Sequence, residues 1–260
     1  MVLASAVVLA WDFPARWAMA WVAPYLHGMQ LQQVHGSLWH GRADRAALPD
    51  GREMGRASWQ VSRRVLYADV PIQVQLQGPQ LAFSADVRML SRGQTRWDNV
   101  KLRTDLAAWP DASMDLDGEW RMTAHHVLMQ DGWPLQLDLV ASWQDAAVRT
   151  PLGPVALGAL ELIASARDGV IDVRVHDVEG GPLQVKGHLM VSPLGWRIDA
   201  QVRQRQANPA RERWLGALGV RDAAGVVHVE RHGGFAFMPA VLPASAASAW
   251  PPRPSRPGRT

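Results

Sequence analysis

In its best-defined stretches between Val70 and His232 the chain places apolar side chains at every second position, with glycine and proline between the stretches. In Val70-Pro71-Ile72-Gln73-Val74-Gln75-Leu76 the aliphatic residues fall on one side and the glutamines on the other. Successive side chains of a strand point to opposite faces, so a period of two specifies a sheet with one buried and one wetted side, which a helix would scramble. Pro71 lacks an N–H and is expected at a sheet edge. After the turn chemistry of Gly78-Pro79, Leu81, Phe83, Ala85, Val87 and Met89 continue the pattern, and Leu135, Leu137, Leu139, Ala141 and Trp143 form another such set. Val155 to Ala164, then Ile171, Val173 and Val175, follow. Leu183, Val185, Gly187, Leu189 and Val191 lead through Pro193-Leu194-Gly195 into Trp196, Ile198, Ala200 and Val202, and Val226 to His232 makes a last strand. The class is mainly β: an antiparallel meander or sandwich-like domain with one face apolar throughout.

Helical signals are few. Asn208 caps, Pro209 occupies the first helical position and Gly219 follows the last apolar residue, which predicts a helix over 209–218. Trp214, Leu215 and Leu218 share one side of it and pack it across a sheet edge or open end. From Pro239 onward proline, alanine, serine and arginine dominate, so 239–260 is expected to be a disordered tail. Gly36-Ser37-Leu38-Trp39 followed by Ala57-Ser58-Trp59 is echoed by Gly118-Glu119-Trp120 followed by Ala141-Ser142-Trp143. Two meander units from one module, or coincidence in a chain rich in alanine and tryptophan, both account for this. With the joint at 107–111, the units are 28–111 and 112–238.

Residues 1–27 are expected to be a membrane anchor with a juxtamembrane helix. Val2 to Trp11 is an unbroken apolar run, yet at ~1.5 Å per helical residue it spans about half of a ~30 Å hydrocarbon core. A transmembrane helix truncated at its start, a signal peptide cut near Ala18-Met19-Ala20 and a buried core segment all compete for it. The first accounts for the lack of a basic flank, with Trp17 and Trp21 at the far interface and the rest of the chain in the periplasm.

Composition narrows the chemistry. The chain carries no cysteine, which removes disulfides, thiolate metal sites and a cysteine nucleophile. Its net charge is +3, but the arginines are scattered among acids and the 13 tryptophans sit within apolar alternation, which argues against a nucleic-acid groove. Adjacent residues of a strand face opposite ways, so His125-His126 is awkward for joint metal ligation. His35 and His40, and His228 and His232, read as solvated or backbone-bonded imidazoles. Asp115 and Asp117 share a strand face without a third acid nearby, and no nucleophile elbow, phosphate loop or dinucleotide fingerprint is present. No catalytic, cofactor-binding or metal residue is assigned. The tryptophans are expected in core and edge packing rather than stacked on sugars.

The order of several blocks resembles the type II secretion system protein N family, also called general secretion pathway protein N. Val34-His35-Gly36-Ser37-Leu38-Trp39-His40-Gly41 comes first, then Ala57-Ser58-Trp59, then Ala141-Ser142-Trp143 leading into Leu152-Gly153. Gly181-Pro182-Leu183 with Gly187, Gly195-Trp196 and Leu215-Gly216-Ala217-Leu218-Gly219 complete the series. The motif positions are Gly36, Leu38, Trp39, Gly41, Trp59, Trp143, Leu152, Gly153, Leu183, Gly187, Trp196, Leu218 and Gly219. The resemblance implies a non-enzymatic accessory component of type II secretion, anchored once in the inner membrane with a periplasmic β domain. Its partners would be the inner-membrane platform or the periplasmic part of the outer-membrane channel, and inner-membrane lipid, with neither nucleic acid nor a small-molecule substrate. A periplasmic lipid-binding or lipid-shuttling β-groove is the alternative.

Overall fold

The computed structural model describes residues 28–62, 64, 70–91, 93–109, 115–150, 153–178 and 180–234. The expected anchor (1–27), Leu152 and the expected tail (239–260) lie outside them. The strands are β1 (Gln30–Gly36), β2 (His40–Ala47), β3 (Glu53–Val61), β4 (Ile72–Gln77), β5 (Leu81–Ser91), β6 (Gln94–Asp105) and β7 (Asp115–Gln130). They continue as β8 (Trp133–Thr150), β9 (Gly153–Arg167), β10 (Val170–Asp177), β11 (Leu183–Ser192), β12 (Gly195–Gln204), β13 (Val220–Arg221) and β14 (Val226–Gly234). One helix, α1 (Pro209–Leu218), joins β12 to β13.

Among the described residues the 14 strands form a single open antiparallel sheet in sequence order, save that β14 lies between β12 and β13. The meander is therefore as expected, while a facing second sheet, as in a sandwich, is not found among the described residues. The sheet runs unbroken past 107–111, because β6 pairs with β7 from Gln94↔Gln130 to Asp105↔Glu119. Pro71 is a correction. It precedes β4, an interior strand between β3 and β5 whose first pair is Val61↔Ile72, so its missing N–H removes no ladder bond.

The strands β6 and β7 carry the apolar row through a change of phase. On β6 the row reads Trp97, then Val100 and Leu102; opposite it on β7 stand Val127, Ala124 and Met122. Asn99 takes φ 53° at the shift, so the side chains beyond it return to the apolar face. A second line of irregularities crosses β7, β8 and β9 at Gly118 (φ 110°), Asp145 (φ 51°) and Gly158 (φ 96°), and bends three neighbouring strands together.

Three apolar clusters line the one face, the first two meeting at Phe83. Ala43, Ala46, Ala57 and Leu76 centre the first, and Ala85, Val100 and Ala124 the second. The third joins Val155, Leu157, Leu160, Leu183, Val202 and Val227 to Leu215 of α1, and among the described residues it alone has a covering element. Asn208 caps that helix as its sequence requires, its Oδ1 accepting from the Arg211 N–H at 3.1 Å. Elsewhere small alanines are buried between larger neighbours, while Val74, Phe83, Trp97, Leu139 and Val173 remain half-buried.

Candidate functional site

The first motif block builds a tight hairpin end. Gly36 has φ 89°, and a Cβ there would overlap the His40 carbonyl, so only glycine fits. The Ser37 N–H donates to the His40 carbonyl at 3.0 Å and the His40 N–H returns to Ser37 Oγ at 3.2 Å. Trp39 is buried, and its carbonyl accepts from the Val61 N–H at 2.7 Å. Gly41 stands opposite Trp59 on the next strand, whose indole lies across it and donates Nε1–H to the Leu38 carbonyl at 3.1 Å. The motif is one object: a glycine-floored seat for an indole clamped to the hairpin.

The same device recurs along the sheet. Trp143 donates to the Asp117 carbonyl at 2.9 Å, beside Gly118, where the sheet bends. Trp133 donates to the Gly169 carbonyl at 2.8 Å. Trp196 pairs with Gly233, where an added Cβ would come within 2.9 Å of Nε1. The indole donors of Trp59, Trp133 and Trp143 are spent on neighbouring backbone, which agrees with packing rather than a sugar platform. This cross-strand pairing joins residues 18 to 37 positions apart, as Gly41–Trp59 and Trp196–Gly233 do, and sequence spacing carries no signal for it.

The remaining motif positions divide by cause. Leu183 is fully buried and Leu218 packs against the same cluster. Gly219 is required by the His228 carbonyl, against which a Cβ would collide. Gly153 has φ 108°. Gly187 has ordinary room, since a Cβ would meet Ala200 at 3.5 Å and Val175 at 3.6 Å.

The candidate reactive groups are dispersed and mostly paired. His126 Nδ1 lies 2.8 Å from Asp98 Oδ1, which also accepts from Arg96 Nε at 3.2 Å. Burial raises the Asp98 carboxyl, but these two partners outweigh it and hold the group below its ordinary value. Asp117 accepts from Arg149 Nε and Nη2 at 3.1 and 2.7 Å, which lowers its pKa and ties the bend of β7 to β8. His35 and His228 are half exposed, in line with solvated imidazoles, and each also has a carboxylate beside it, Asp44 at 3.3 Å and Asp222 at 3.1 Å. Among the described residues no three histidine or carboxylate side chains gather as metal ligands would.

Asp177 is the most enclosed acid of an ion pair, with its side chain 8 % exposed. It accepts from the Val185 N–H at 2.7 Å and Arg205 Nη2 at 2.6 Å, while Arg205 Nη1 donates to the Leu183 carbonyl at 2.9 Å. Burial raises its pKa, and the two donors more than reverse that. A depressed folded pKa means stability that is present above the unfolded aspartate value and lost as pH falls through the folded one. Asp177→Asn is expected to lower stability at neutral pH by about 2 kcal/mol and to flatten the loss below about pH 4. Urea titrations from neutral to acid pH check both; an unchanged acid slope would exclude Asp177 as its source.

The ends of the sheet are unequal. Gln33 takes φ 54° and interrupts the ladder of β1 between Gln32 and Val34, which blunts that edge. At the other end β13 covers only Val227 and His228 of β14. An open hollow of about 480 Å³ lies over the polar side of β1–β4 at Arg42, Ser58, Gln60, Gln73 and Gln75. No helix among the described residues is long and apolar enough to cross a membrane.

The family model described as type II secretion system (T2SS), protein N matches residues 27–230. No curated protein and no solved structure matches the chain. The match begins just before β1, ends within β14 and takes in every glycine and tryptophan of the clamps except Gly233. An indole-clamped meander extending over nearly the whole matched region thus belongs to a chain that is a member of the type II secretion system protein N family.

Proposed function

We propose that this secretion component is a non-enzymatic accessory protein, held in the inner membrane through residues 1–27, whose periplasmic sheet docks to other components through its edge strands. The observation that carries the reading is an open meander whose edges no described strand pairs, with dispersed, mostly paired ionisable groups. Such a sheet offers backbone ladders, not a reaction centre. The inner-membrane platform and the periplasmic part of the outer-membrane channel are the partners that fit this position. The units 28–111 and 112–238 would be related halves, with the motif glycines and tryptophans setting their curvature. Deletion of the gene should leave secreted enzymes stalled in the periplasm, with export restored by the full chain and not by one lacking residues 1–20. Normal export in the deletion strain would sink the reading.

A second reading is favoured by one observation: among the described residues the apolar face is covered only where α1 lies on it, and Phe83, Leu139 and Val173 stay half-buried. An acyl chain laid along that row would bury it. Mass spectrometry of protein purified without detergent should then find stoichiometric acyl chains, and protein free of lipid would remove this reading.

A further inference from the structure

The exposed end of β14 has a definite backbone polarity. Val226 donates its N–H to Asp222 Oδ1 and accepts from the Asp222 N–H, both at 2.9 Å, and His228 faces Val220 of β13. In an antiparallel strand alternate residues turn both main-chain groups to the same side. The even-numbered residues of β14 therefore point away from β12. Beyond β13, Glu230 and His232 present N–H and C=O groups that no described residue takes up.

The side chains there add a charge requirement. Glu230 stands directly opposite Asp199 of β12. Because Glu230 turns its main chain outward, this is the close, non-hydrogen-bonded kind of pair, in which like charges are unfavourable. Neither carboxylate has an ion-pair partner among the described residues. A cation arriving beside Glu230 would relieve both.

We propose that the Glu230–His232 edge of β14 receives an extended, lysine- or arginine-bearing segment of a partner protein as a further strand of the sheet. This deepens the docking role above and rests on it only for the partner's place in the secretion machine. A second copy of the chain fits poorly. Antiparallel pairing of two β14 edges about Arg231 sets one arginine against its copy, and each copy's β13, at Val227 and His228, blocks the other after a few residues. A partner segment meets β13 at one end only and can run on past Gly234.

The test uses the purified full chain and a short fluorescent peptide alternating lysine and valine, with a glutamate–valine peptide as its opposite. The lysine peptide should bind, and the glutamate peptide should bind about tenfold more weakly or not at all. Glu230→Lys should reverse that preference. His232→Pro removes only an outward N–H, so it should weaken binding about tenfold with β content and melting temperature unchanged. Should His232→Pro unfold the sheet, Glu230→Lys and Glu230→Gln decide by charge alone. Equal binding of both peptides, or no binding at millimolar concentration, overturns the proposal. In the deletion strain, chain-dependent secretion that His232→Pro leaves intact would remove this edge alone. Secretion that never needs the chain would remove the docking role, leaving the peptide result to stand on its own.

Discussion

Leu183→Ala is expected to lower stability by about 3–4 kcal/mol, and to do so locally. Leu183 is 0 % exposed at the centre of the cluster that joins β9, β11, β12 and β14 to α1. Truncation would leave a cavity beneath Leu215 and Val227, neither of which can collapse without moving the helix or an entire strand. In this meander strands meet chiefly their immediate neighbours, and the cluster around Ala43, Ala46 and Ala57 shares no residue with that around Leu183. Cooperativity then falls off along the sheet, as in a repeat protein. Amide exchange should report lost protection in β9–β14 and α1 with β1–β5 little changed. Uniform loss from end to end would contradict this division.

Gly41→Ala should cost about 2–3 kcal/mol, although it adds a single methyl group on a strand. That methyl would overlap Cζ2 and Cε2 of Trp59 and approach the Ser37 carbonyl at 2.9 Å. The indole has no easy retreat because its N–H is held by Leu38. If this overlap is the cause, Gly41→Ala should cost much less in a Trp59→Ala background, with a coupling of about 1–2 kcal/mol. Urea midpoints of the four proteins close the cycle, and additive effects would refute the seat. Gly36→Ala in the same hairpin is a different case, since its left-handed φ strains the variant whatever Trp59 does.

The sequence is legible where a local rule suffices. The clean alternations at 81–89, 183–191 and 196–202 became β5, β11 and β12, and the Asn208-Pro209 cap starts α1. It is silent about β6, because the left-handed turn at Asn99 shifts the alternation and the periodic signal cancels across it. It places Pro71 on an edge because proline cannot donate, whereas the fold simply begins β4 one residue later. Nothing local in the sequence marks Asp177, Asp98 or Asp117 as paired. Their partners Arg205, His126 and Arg149 are 28 to 32 positions away, and only strand pairing brings them together.

The sequence by itself determined the class of fold, its one-sided apolarity and the ordered glycine and tryptophan blocks that mark the family, because period, turn and cap act within a few residues along the chain. Tertiary structure alone decided which glycine floors which indole, where the strands bend in concert and which edge keeps free hydrogen-bonding groups. Those depend on register between strands, and a register is a relation among distant residues that hydrogen bonding across the sheet has to complete.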